Sequence, residues 1–174
     1  MGLLRELVPT ATMVAVLLNP TNAAFQLQMK DTEDAARALG VQTHTLNAAN
    51  EQVHAAFAAL AKLRPGALLV GGDPFFTSRR DQLVALAARD RIPSIYEWRE
   101  YAEAGGLMSY GSDLADGYHQ VGIYVGRILK GDKPADLPVV QLTKVEFVLN
   151  LKTARSLGLT ISLPLLGRAD EVIE

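Results

Sequence analysis

Residues Met13 to Leu18 read Met-Val-Ala-Val-Leu-Leu, an apolar run that stops abruptly at Asn19-Pro20-Thr21-Asn22. A continuous apolar run of this length, β-branched at intervals, predicts a strand buried on both faces, the kind found inside parallel sheets. The polar cluster breaks the strand and offers side-chain oxygens to the free N–H groups of a following helix. Strand, polar elbow and helix together set the fold class. In open parallel sheets such elbows line the crevice where ligands bind. The same ten residues also admit a plainer reading, the first strand-to-helix connection of any α/β domain.

The chain downstream repeats this grammar. The spacing predicts helices over 23–39, 51–63 and 78–91, with Gly40 closing the first. The apolar face of the first comprises Phe25, Leu27, Met29, Ala35, Ala36 and Leu39. Between the helices stand Val41–Leu46, which alternates like a half-exposed edge strand, the wholly apolar Ala67–Val70, and Ile92–Glu97. Asn47 and Asn50 bracket a turn, and Gly71 to Phe76 forms a loop. This β-α-β-α-β-α-β alternation predicts a parallel sheet covered by helices on both faces, with right-handed crossovers. A short amphipathic helix precedes it.

After Glu97 the rhythm changes. A short helix over 98–104, a glycine-flanked strand over 105–111 and a long helix over 113–130 are expected, with Asp113 as cap. The long helix carries Leu114, Tyr118, Val121, Val125, Ile128 and Leu129 on one face. It also holds Gly117, Gly122 and Gly126, each costing about 1 kcal/mol relative to Ala, which calls for close approach of another backbone. Lys144–Asn150 alternates as a strand, Asn150 caps a helix over 151–157, and the tail from Pro164 reads as a surface segment.

Composition narrows function mainly by exclusion. The chain has 174 residues, enough for one domain with a proper core, and a net charge of −2 with both signs interspersed. Nothing points to nucleic acid or an anionic membrane surface. No stretch approaches the roughly 20 apolar residues of a membrane span, and the N-terminus lacks the pattern of a signal peptide. With no cysteine, thiolate metal sites and Cys nucleophiles are excluded. His44, His54 and His119 share no metal-ligand spacing, and no nucleophile elbow, Walker loop or dinucleotide fingerprint is present. The reading therefore assigns no metal, no cofactor and no catalytic residue.

What recurs is polar and aromatic residues at the ends of successive strands: Asn19, Thr21 and Asn22; Asn47; Asp73, Phe75 and Phe76; Tyr96, Glu97 and Trp98. In a parallel sheet these ends converge on one edge, and short polar groups with aromatic walls suit a small polar molecule such as an amino acid. An aspartate there can pair with an ammonium, while Asn, Thr or helix amides hold a carboxylate. The structural alternative keeps Phe75, Phe76 and Trp98 in the core and makes Asp73 a helix cap.

Several longer stretches carry a family resemblance: Leu3-Leu4-Arg5-Glu6-Leu7-Val8-Pro9 followed by Val14–Pro20; Ala67–Phe76; Arg91–Glu97; Ala104–Gly111; Ile128–Val139; Phe147–Leu159; and Arg168–Glu174. Over nearly its whole length the chain resembles the second half of the periplasmic substrate-binding proteins of ABC importers, in the branch that includes proteins described as tryptophan and tyrosine binders. The resemblance implies a type I, two-lobe architecture, and for this chain a flavodoxin-like, three-layer lobe. It further implies a core lobe over about 1–104 and 139–174, with 105–138 crossing to a first lobe. The signal sequence and first lobe of such proteins are not found in these residues. Pocket positions carry over to Asn19, Thr21, Asn22, Asp73, Tyr96 and Glu97, then to Tyr110 and Asp113 near the hinge.

The function expected is non-enzymatic binding of an amino acid or related small carboxylate, with an importer permease as partner and a periplasmic location. A half-cleft should bind weakly on its own. A homodimer is expected to cover the face that would otherwise meet the first lobe. The alternative is a ligand-sensing regulatory module of the same fold without a transport role. A flavodoxin-shaped enzyme is disfavoured for want of a nucleophile, base or cofactor loop.

Overall fold

The computed structural model describes residues 1–49 and 52–174. The apolar run becomes β1 (Met13–Leu18), preceded by α1 (Gly2–Leu7). Then follow α2 (Phe25–Leu39), β2 (Gln42–Asn47), α3 (Val53–Leu63), β3 (Ala67–Val70), α4 (Pro74–Thr77), α5 (Arg80–Arg89) and β4 (Ser94–Tyr96). The rest comprises α6 (Arg99–Glu103), β5 (Met108–Ser112), α7 (Leu114–Leu129), β6 (Val145–Asn150), α8 (Leu151–Leu157), α9 (Leu163–Leu166) and β7 (Glu171–Ile173). The expected turn at Asn50 and helix start at Glu51 lie outside the described residues.

These strands form one seven-stranded sheet in the order β2-β1-β3-β4-β5-β6-β7. β1 through β5 are parallel, as the alternation requires. β6 is antiparallel to β5, and β7 runs parallel to β6, so the last two strands reverse direction. Val14 to Leu18 are buried because both faces of β1 are covered. Ala15 and Leu17 join Phe57, Leu60, Phe76 and Leu83 from α3, α4 and α5. Val14 joins Leu3, Leu4, Ala36, Ala154 and Leu165 from α1, α2, α8 and α9. Each such Val or Leu contributes about 1.5–3 kcal/mol by leaving water.

Several boundaries differ from the sequence reading. α2 starts at Phe25 rather than Ala23, and only its Ala36 is buried. Leu27, assigned to the inward face, is 61% exposed. It stands two residues from both Phe25 and Met29, which turns it about 200° around the helix axis. The loop over 71–76 folds at its end into α4, with Asp73 as N-cap. The tail is not merely surface: Leu165 is buried and Glu171–Ile173 pairs with β6. Asn150 caps α8 as expected, its side chain accepting from the Thr153 amide.

The segment expected to cross between lobes divides sharply. β5 belongs to the sheet, with Leu107 and Met108 buried, and within this segment the chain leaves the sheet only at Asp113. Beyond it α7 buries no residue, and Tyr118, Val121, Val125 and Leu129 are exposed. A Cβ on Gly122 or Gly126 would meet nothing, whereas one on Gly117 would touch Leu142. The departing and returning chain are tied where they meet: Asp113 N donates to Lys144 O at 3.1 Å, and Lys144 Nζ donates to Asp113 Oδ2 at 2.6 Å.

Candidate functional site

The C-terminal ends of β1, β3 and β4 emerge on one edge, where the polar residues after them meet. The Asn19 side chain is held by its own turn: its Oδ1 accepts from Thr21 N at 3.0 Å and from Thr21 Oγ1 at 2.8 Å. Asn22 is fixed likewise, its Oδ1 accepting from Ala24 N at 2.7 Å. With both amides oriented, their NH2 groups converge on Asp73. Asn19 Nδ2 donates to Asp73 Oδ2 at 3.1 Å and Asn22 Nδ2 to the same oxygen at 2.6 Å. Asp73 Oδ1 accepts from Phe75 N at 2.7 Å, which caps α4. Asp73 therefore has both carboxylate oxygens engaged and is buried, an arrangement that ties the first elbow to the third.

Two hollows open beside this lattice, and Gly72 and Glu97 border both. The first, about 360 Å³, is lined among others by Gln28, Gly71, Tyr96 and Tyr110. The second, about 580 Å³, adds Asp73, Arg80, Trp98, Leu114 and Tyr118. The ridge between them is built tightly. A Cβ on Gly72 would collide with the Glu97 carboxylate, and one on Gly111 with the Glu97 carbonyl oxygen. Gln28 Nε2 donates to Gly72 O at 2.9 Å and steadies the ridge from α2.

Glu97 is half-buried, and among the described residues its carboxylate takes part in no hydrogen bond or ion pair. Burial raises its pKa above the ordinary carboxylate value. Asp31 also borders the first hollow but is exposed, so among the described residues Glu97 is the half-buried acidic group on this edge left available. Asp113 is engaged by Lys144 and by the Asp116 amide, and Lys144 holds its pKa below the usual value.

The structure thus sorts the expected site residues into groups. Asn19, Asn22 and Asp73 come together as a buried lattice, and Thr21 locks Asn19 in place. Asp73 is the helix cap of the structural reading, not an open partner for an ammonium. Phe75 lines neither hollow; it packs against the core and lies under the Arg79 guanidinium at 4.1 Å. Tyr96 borders the first hollow, yet its ring is stacked on Tyr101 at 4.6 Å and is 2% exposed. Its burial pushes the phenol pKa far up. Glu97 and the half-exposed Tyr110 face the open space. Gln28 and Arg80 were missed. The signal for Gln28 was its place one turn into the helix after the first elbow.

The sequence profile of the family described as "ABC transporter substrate binding protein" matches residues 1–173. No curated protein matches the chain. Among solved structures, a conserved domain protein from Vibrio cholerae is 26% identical with a TM-score of 0.88, covering 98% of this chain and 58% of its own. An ABC domain from Streptococcus pneumoniae in complex with L-Trp is 25% identical with a TM-score of 0.88, covering 99% of this chain and 60% of its own. A ligand-free, open substrate binding protein with adhesive properties from Clostridium difficile, 18% identical with a TM-score of 0.69, shares the fold. The chain spans about three-fifths of the length of the first two.

Proposed function

The chain belongs to the ABC transporter substrate binding protein family, and from that premise we propose that it forms one side of the ligand cleft of an importer's substrate-binding protein. The ligand class is an amino acid or a close relative, seated on the ridge of Gly72 and Glu97. One observation carries this reading: two strand ends, those of β1 and β3, pinned together by Asn19, Asn22 and Asp73, support open hollows into which an unpaired carboxylate and aromatic residues face. Rigid edges with a few placed polar groups are what small-molecule sites require. The Streptococcus pneumoniae relative in complex with L-Trp favours an amino acid with an apolar side chain, for which Trp98, Tyr110 and Tyr118 supply walls.

In this proposal the crossing segment, Asp113 to Lys144, packs on a first lobe that closes over the ligand by a hinge motion. The exposed apolar face of α7 and the open space over Gly122 and Gly126 support it. The permease of an ABC importer is the partner, and the location is periplasmic or extracellular. Among the described residues no helix is long and apolar enough to cross a membrane. When the chain stands alone, a second copy covers the α7 face.

The test is calorimetric titration of the twenty common L-amino acids into the full-length protein and into this chain alone. Binding by the full-length protein, weaker by at least tenfold in the isolated chain, is the expected result. Equal, submicromolar binding by the isolated chain would refute the half-cleft reading, and no binding by either would refute the ligand class.

A further inference from the structure

The carboxylate on the ridge narrows the chemistry of the ligand. We propose that Glu97 is the ammonium-recognising group of this cleft, so that the ligand is selected for a protonated amine and not for a carboxylate alone. This rests on the reading that the hollows beside Gly72 are the ligand site.

Three features of the ridge lead there. First, the position is built. Gly72 and Gly111 leave room for the Glu97 carboxyl and backbone respectively, and a Cβ at either would occupy the place Glu97 holds. Second, the group has no internal use. Among the described residues it makes no side-chain hydrogen bond or ion pair, while Asp73 next to it in space has both oxygens engaged by Asn19, Asn22 and Phe75. A partly desolvated carboxylate without a partner is costly, and the raised pKa of Glu97 expresses that cost. Third, the surroundings leave the pairing to a ligand. No lysine or arginine side chain lines the first hollow, and the amino group of Met1, a residue that also borders it, is in no ion pair among the described residues. Arg80 borders the second, but its ion pair is with Asp81 at 3.7 Å.

An inorganic divalent cation does not fit the same place. It requires several hard ligands at once, and among the described residues no group of three His, Cys, Asp or Glu side chains could hold one. A half-buried carboxylate flanked by aromatic rings fits an organic ammonium, which forms charge-assisted hydrogen bonds to the oxygens and rests its carbon skeleton on apolar surface. Tyr110 borders the first hollow, and Trp98 and Tyr118 border the second, so both sides of Glu97 offer such surface.

The experiment uses the full-length protein and calorimetry. The probes are the common L-amino acids, each compared with its deaminated acid (for L-tryptophan, indole-3-propionate; for L-leucine, 4-methylpentanoate) and with its decarboxylated amine. Glu97→Gln keeps the shape and removes the charge; Tyr110→Ala alters the wall. The expected result is that amino acids bind, deaminated acids bind at least about 30-fold more weakly, and Glu97→Gln lowers amino-acid affinity by a similar factor. Tyr110→Ala should weaken every binding probe alike. Deaminated acids binding as well as amino acids, with Glu97→Gln neutral and Tyr110→Ala harmful, would overturn the ammonium assignment and leave the hollow as the site. Binding indifferent to both variants would overturn the hollow itself. Absence of binding by any probe would overturn both.

Discussion

The buried lattice around Asp73 makes a sharp prediction, because neighbouring amides are already oriented by other bonds. Asp73→Asn is nearly isosteric, yet it replaces one acceptor oxygen with a donor NH2. If the new NH2 faces Asn19 and Asn22, it meets two donors where Oδ2 accepted at 3.1 and 2.6 Å. If it faces α4, it loses the cap bond that Phe75 N makes at 2.7 Å. Neither asparagine can flip in response without cost: Asn19 Oδ1 is held by Thr21 and Asn22 Oδ1 by Ala24. Hydrogen bonds to a charged group contribute about 1.5–3 kcal/mol each, and a cap about 1 kcal/mol. Asn19 is 8% exposed, so water reaches its orphaned amide poorly. Allowing for non-additivity, Asp73→Asn should cost about 2–4 kcal/mol. In a chain of this size that lowers Tm by roughly 4–16 °C. Urea unfolding followed by circular dichroism, with an unchanged m-value, is the assay. A double-mutant cycle with Asn22→Ala should show coupling of at least about 1 kcal/mol. A variant within about 0.5 kcal/mol of wild type would refute the claim that this carboxylate binds the two elbows together.

The ridge glycines should respond differently from each other. Gly111→Ala drives a methyl group against the Glu97 carbonyl, so the backbone must move and stability should fall by about 1–3 kcal/mol. Gly72→Ala meets only the mobile end of the Glu97 side chain and should leave Tm nearly unchanged while weakening ligand binding; a large fall in Tm would contradict this. Burial raises the Glu97 pKa, so the folded protein holds that proton more tightly than the unfolded chain. The group's contribution is therefore fully present below the ordinary value of 4.5 and is lost as pH rises through the folded value. Without ligand, Glu97→Gln should match wild type near pH 4 and exceed its Tm at pH 7; a lower Tm at pH 7 would count against the desolvated carboxylate. On the α7 face, Val125→Lys and Leu129→Lys should turn a dimer of the isolated chain into a monomer in light scattering, with stability changed by less than about 0.5 kcal/mol. A wild-type chain that is monomeric at high concentration would remove the reason for a second copy.

What was legible in the sequence was whatever depends on near neighbours. β1 and β3 follow from apolar runs whose length and composition leave few other options, and Gly40 and Gly158 take the left-handed turns that close their helices. Strand direction was less legible. The alternating pattern of Val145 to Asn150 is the same whether the strand runs up or down, and its reversal is set by where the chain returns after α7. β7 is three residues at a sheet edge, too short to show a period. The site divides on the same principle. Asn19, Asp73 and Glu97 all stand at strand ends, and sequence alone ranks the two carboxylates equally. Asn19 and Asn22 lie 54 and 51 residues from the aspartate they donate to, so only the assembled sheet decides which acid is consumed by the fold. Once Asp73 has satisfied the elbows, its role is fixed as scaffold. Glu97, displaced one strand along the sheet and wedged between glycines, keeps its carboxylate free of partners among the described residues, which is why the proposed ammonium contact falls to it.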